Sequence, residues 1–76
     1  MTTQFSIYFA SVSLSRGQKR YQALVEVNYE GQFKKFTHAF NDAHAYDELR
    51  SASYAEIYEY FSHSFDDMIQ DWIENL

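Results

Sequence analysis

Three histidines (His38, His44, His63), two pairs of adjacent carboxylates (Asp47–Glu48 and Asp66–Asp67) and a scatter of serines are the side chains of this sequence that could do chemistry. A metal centre needs ligands at spacings that local structure can bring together, and these histidines fit none of the usual ones. The chain has no cysteine to complete a thiolate site. General acid–base work needs two carboxylates in one pocket with their pKa values pushed apart. Neighbours on a helix instead point about 100° apart, so neither acidic pair shares a site. No serine sits in a Gly-x-Ser-x-Gly turn, and two glycines in the whole chain leave no phosphate-cradling loop. The expectation is a protein with no catalytic residues, no metal and no cofactor.

What remains is charge and aromatic surface. Residues 1–41 carry five basic and two acidic side chains, a net of +3, and residues 42–76 carry one basic and nine acidic, a net of −8, which together make the −5 of the chain. The large apolar residues Tyr54, Tyr58, Phe61, Phe65, Met68 and Trp72 recur at helical spacing, widened by Ile57, Ile69 and Ile73. The opposite face carries Glu56, Glu59, Asp67, Asp71 and Glu74, and no Lys or Arg follows Arg50. An ordinary exposed helix often sets Lys or Arg four residues from an acid. Asp71 and Glu74 also fall at a helix C-terminus, where the dipole disfavours anions by about 0.3–1 kcal/mol each. Local stability does not account for that placement, whereas a partner with a Lys/Arg-rich surface does. Glu56, Glu59, Asp67, Asp71 and Glu74 are therefore the predicted electrostatic contacts, with Tyr60 as an aromatic anchor. Carboxylates spaced this way, interleaved with Tyr60 and His63, could occupy sites that otherwise hold phosphates and stacked bases. A segment of this charge repels nucleic acid and anionic membrane, so neither is an expected partner. The basic residues Arg16, Lys19, Arg20, Lys34 and Lys35 form a second candidate contact surface.

The elements that must position these residues follow from hydrophobic period. Phe5, Ile7 and Phe9 alternate with polar or small residues as in a half-buried strand, and Val12 and Leu14 continue in the opposite phase, so a bulge near Ala10–Ser11 or a strand end is expected. Ser15 to Lys19 reads as a turn. Tyr21 to Tyr29 and Phe33 to Phe40 alternate around Glu30–Gly31, a hairpin whose two-residue loop sets Val25 opposite Phe36, Tyr21 opposite Phe40 and Glu26 opposite Lys35. Asn41 or Asp42 caps a short helix through Ala43, Ala45, Tyr46, Leu49 and Ala52, and Ser53 with Glu56 forms a capping box for the next. Ser62–His63–Ser64 is a weak helical patch where Ser64 with Asp67 could start a separate helix, but the apolar seam favours one helix continuing through it. The fold class is α+β: a three-stranded antiparallel sheet followed by two helices (βββαα), the long C-terminal helix packed on the sheet, in a single domain over residues 1–76. The 4-3-4 seam also admits a coiled-coil dimer, but its width favours packing on its own sheet. No apolar run reaches the roughly 20 residues of a membrane span, and Met1–Gln4 lacks signal-peptide character, so a cytoplasmic protein is expected.

In size, acidity and order of elements the chain resembles the small phage-encoded anti-CRISPR proteins, especially those directed at multi-subunit type I complexes. The resemblance covers a hairpin around Glu30–Gly31 followed by Phe40–Asn41–Asp42 leading into acidic helices. It implies a non-catalytic inhibitor of a Cas complex, acting in the host cytoplasm by steric block or as a DNA mimic. The group shares no residue motif, so no functional residue is carried over. The alternative is a homodimeric regulatory or immunity/antitoxin-like interaction module, whose working surface would be aromatic.

Overall fold

The computed structural model describes residues 5–15 and 20–76; the expected turn at 16–19, with Arg16 and Lys19, lies outside them, as do residues 1–4. Three strands, β1 (Ser6–Ser15), β2 (Arg20–Tyr29) and β3 (Gln32–Phe40), form an antiparallel sheet in sequence order. Helices α1 (Ala43–Leu49), α2 (Tyr54–Tyr60) and α3 (Ser62–Glu74) follow. The α+β, strands-then-helices order expected from the sequence is the one observed.

The β2–β3 hairpin forms as its residues dictate. Glu30 (φ 51°) and Gly31 (φ 82°) both take positive φ, the backbone of a turn whose twist matches that of the flanking strands. Val25 then pairs with Phe36, Tyr21 with Phe40 and Glu26 with Lys35. Lys35 Nζ lies 3.5 Å from a Glu26 carboxylate oxygen. Pairing in this phase puts Ala23, Val25, Val27 and Phe36 on one face, where all are buried.

β1 requires a correction. The strand does not end near Ala10, nor does its irregularity fall at Ala10–Ser11. The register against β2 shifts between Ile7 and Phe9, and pairing then runs unbroken from Phe9↔Glu26 to Ser15↔Arg20. The extra residue at Tyr8 moves Phe9 to the solvent side of the sheet and returns Ala10 and Val12 to the inner side, opposite Val25 and Ala23. Ala10 is buried and Phe9 is 44% exposed.

The helices cover the inner face. Asp42 caps α1, its side chain accepting from the backbone N–H groups of His44 and Ala45 (3.0 and 3.2 Å). α1 closes one end of the sheet, with the ring of Tyr46 stacked on Tyr21 at 4.8 Å. Ser53 caps α2, accepting from the Glu56 N–H at 3.3 Å. The Ser53 hydroxyl in turn donates to the Glu56 carboxylate at 3.1 Å.

The expected continuous helix is broken, one residue before Ser62–Ser64. Phe61 leaves helical geometry (φ −106°, ψ 20°), and the Ser64 N–H turns back to the Phe61 carbonyl at 3.0 Å. The cause is tertiary: α2 packs over β1 while α3 crosses to β3 and β2, and one straight helix cannot do both. Phe61 sits at the corner with its ring against His38 (5.4 Å), Phe40 (4.9 Å) and Phe65 (6.3 Å).

The buried stripe is also rotated from the expected seam. It runs through Ile57, Phe61, Phe65 and Ile69, all at 8% exposure or less, whereas Tyr54 is 50% exposed and Tyr58, Met68 and Trp72 lie at the margin. A tyrosine hydroxyl needs water or a partner, so isoleucines take the centre and tyrosines the edges. No buried polar or charged residue interrupts the core among the described residues.

Candidate functional site

All six residues of the predicted contact face are solvent-exposed, but they do not form one straight line. Glu56, Glu59 and Tyr60 belong to α2, over β1; Asp67, Asp71 and Glu74 belong to α3, over β3. The corner at Phe61 divides them into two acidic groups on the outward sides of consecutive helices. Tyr60 is 54% exposed, and its ring meets that of its neighbour Phe61 edge-on at 4.8 Å.

The ion pair among the described residues lies elsewhere, between Glu26 and Lys35, and the His44 ring nitrogen lies 3.1 Å from the Glu48 carboxylate. Among the described residues Glu59, Asp67, Asp71 and Glu74 make no salt bridge, although Lys34 shares a groove with Asp71, and α3 has no basic residue in its last turn. At that end the Asn75 side-chain amide donates to the Asp71 carbonyl at 2.6 Å, satisfying one of the free carbonyls left by the helix terminus.

Two features of this region escape sequence reasoning. The Tyr58 hydroxyl, on α2, donates to the Asp66 carboxylate on α3 and ties the two helices across their corner. Partial withdrawal from water, followed by the charge of Asp67, pushes the Asp66 carboxyl above its ordinary value of 3.8. A periodic pattern gives no sign of such a pairing, because the break that sets it is tertiary. The second feature is an open groove of about 350 Å³ between β3 and the end of α3, lined by Lys34, Phe36, Met68, Asp71, Trp72 and Asn75. The i, i+4 spacing of Met68 and Trp72 marks its helical wall, but its floor depends on where α3 crosses the sheet.

The histidines stand apart. His38 faces Ala23 across the hairpin and packs against Phe61 and Phe65. His44 pairs with Glu48 on α1, and His63 is exposed on α3. Among the described residues no three His, Asp or Glu side chains converge as metal ligands would. No described helix is long and apolar enough to cross a membrane.

On the far side of the sheet, Tyr8 (46% exposed) and Phe33 (64%) meet edge-to-face with ring centres 5.3 Å apart. The Tyr8 hydroxyl donates to Glu26, and this bond, with slight desolvation and the Glu26 charge, holds the phenol above its ordinary pKa of 10.0. Comparison with known protein families, characterised proteins and solved structures finds no match to this chain.

Proposed function

We propose that this chain is a non-catalytic inhibitor that sets the acidic outer sides of α2 and α3 on a Lys/Arg-rich surface of a nucleic-acid-handling complex. The resemblance to small anti-CRISPR proteins names the target class: a crRNA-guided Cas complex in the host cytoplasm, kept from DNA by steric block or by mimicry of its phosphates. One observation carries the reading. Glu59, Asp67, Asp71 and Glu74 are exposed with no Lys or Arg paired to them among the described residues, and the last two oppose the dipole of their own helix. Such charge raises the rate of encounter with a basic surface and is ready to pair there without first breaking an internal ion pair. Tyr60 supplies an aromatic contact beside it.

The test is DNA binding by a purified type I crRNA-guided complex, followed by mobility shift with and without the protein. The native chain is expected to suppress DNA binding, and the triple variant Glu59→Lys, Asp67→Lys, Asp71→Lys to require about tenfold more protein or greater. Inhibition should also weaken steadily between about 50 and 300 mM salt, as exposed charges become screened. Equal inhibition by the triple variant would overturn the acidic-face reading. No inhibition by the native chain would overturn the target class.

A further inference from the structure

Among the described residues the sheet has two edges with no strand paired to them, and they differ. β3 carries Lys34 and Lys35 side by side, and lysine on an edge strand is a common guard against pairing with another chain. β1 has no such charge, and its bulge at Tyr8 lies near one end, leaving Phe9 to Ser15 in regular pairing. Its ten residues, Ser6 to Ser15, include no charge and no proline, and its pairing among the described residues is with β2 alone. Apolar surface collects on the same strand: Tyr8, Phe9 and Leu14 are 46%, 44% and 54% exposed.

We infer that β1 is a dimerisation edge, pairing antiparallel with β1 of a second copy about a two-fold axis at Ser11. The choice of a second copy rests on self-complementarity. With Ser11 opposite its own mate, Phe9 falls opposite Ser13 on the solvent side and Ala10 opposite Val12 on the inner side, in both directions at once. Each pair sets a large residue against a smaller one. Each also keeps to one face, as the β1–β2 register assigns Phe9, Ser11 and Ser13 to the outer side and Ala10 and Val12 to the inner. The chain carries a net charge of −5, so two copies repel at most surfaces, and this uncharged strand is where they can meet. The result is a continuous six-stranded sheet with an isologous interface. α2, with Glu56 and Glu59, packs over β1, so the two α2 helices flank the seam. Salt therefore tightens the dimer, the opposite of its effect on a basic partner.

The chain has no cysteine, so single-cysteine variants report the pairing directly. Opposed residues on neighbouring strands have Cα atoms about 4.5–5.5 Å apart, inside the range of about 7 Å within which a disulfide closes. Ser11→Cys is therefore expected to give a disulfide-linked dimer under mild oxidation. Ser13→Cys places its two thiols about four residues, roughly 13 Å, apart along the seam and is expected not to, like Thr37→Cys on the β3 edge. In sedimentation the native chain is expected to be a dimer at about 100 µM. Ser11→Lys, which sets two ammonium groups face to face, should be a monomer with an unchanged circular dichroism spectrum. A native chain that sediments as a monomer at that concentration overturns the inference. So does cross-linking of Ser13→Cys or Thr37→Cys as readily as Ser11→Cys, or a Ser11→Lys variant that stays dimeric.

Discussion

On the side of α2 and α3 that meets the sheet, Phe65 and Ile69 are fully shielded from water and Ile57 and Phe61 nearly so. On the other side, Glu56, Glu59, Asp67, Asp71 and Glu74 stand exposed. The same two helices thus carry one surface in which every side chain has a packing reason and one in which several have none. The buried stripe accounts for where the helices sit. Apart from Glu56, which completes the Ser53 capping box, the acidic side has no part in that placement and, at the C-terminal end of α3, works against it. A surface retained at a small cost in stability is where a binding role is to be sought.

The comparison is broken most directly from the buried side. Phe65 is 0% exposed, in contact with Phe61 and close to His38 and Tyr58. Phe65→Ala is expected to destabilise the fold by about 3–5 kcal/mol. A chain of this length has only some 4–11 kcal/mol to lose, so the urea midpoint should fall by about a quarter or more. A loss below about 1 kcal/mol would mean that the stripe is not the core.

From the acidic side the sign reverses. Asp71→Asn and Glu74→Gln each remove an anion from the negative end of α3, and each should stabilise the fold by about 0.3–1 kcal/mol in low salt. Thermal unfolding checks this. Destabilisation by either change would give these carboxylates a folding role and weaken the case for a partner.

The smallest effect concerns Asp66, where the two sides meet. Its carboxyl is held above 3.8, so the folded chain binds that proton more tightly than the unfolded chain. Its contribution to stability is present in full below the unfolded value and is lost as pH rises through the folded one. Asp66→Asn should therefore gain on the native chain between pH 3 and pH 7. Unfolding of both proteins at those two pH values decides it, and a variant that loses ground by pH 7 would show that the Tyr58 hydrogen bond outweighs the desolvation.

How much of this could be read from residues alone varies along the chain. The hairpin could be read in full, because its determinants are local: alternation of period two on both sides of Glu30–Gly31, and a glycine where positive φ is needed. In β1 the phase change between Ile7 and Val12 announces an irregularity, but its position at Tyr8 depends on which residues β2 accepts. The capping residues Asp42 and Ser53 were legible for the same local reason as the turn. The break at Phe61 was not, since the 4-3-4 spacing continues through it.

The six predicted contact residues were recognisable as exposed because polar side chains opposite an apolar stripe face water whatever the stripe packs on. Their division into two groups, the Tyr58–Asp66 tie and the groove beside Asp71 were not recognisable, because each requires elements far apart in sequence to be placed first. The order of elements, the hairpin register, the caps and the opposition of an apolar to an acidic side all rest on the preferences of neighbouring residues and on the helical and strand periods. Where the bulge falls, the bend at Phe61 that lets the last helices cover β1 and then β3, and the filling of the centre by isoleucine and phenylalanine rather than tyrosine follow only from the packed fold. Those outcomes depend on fitting a curved pair of helices to a twisted sheet, a condition that no single segment contains.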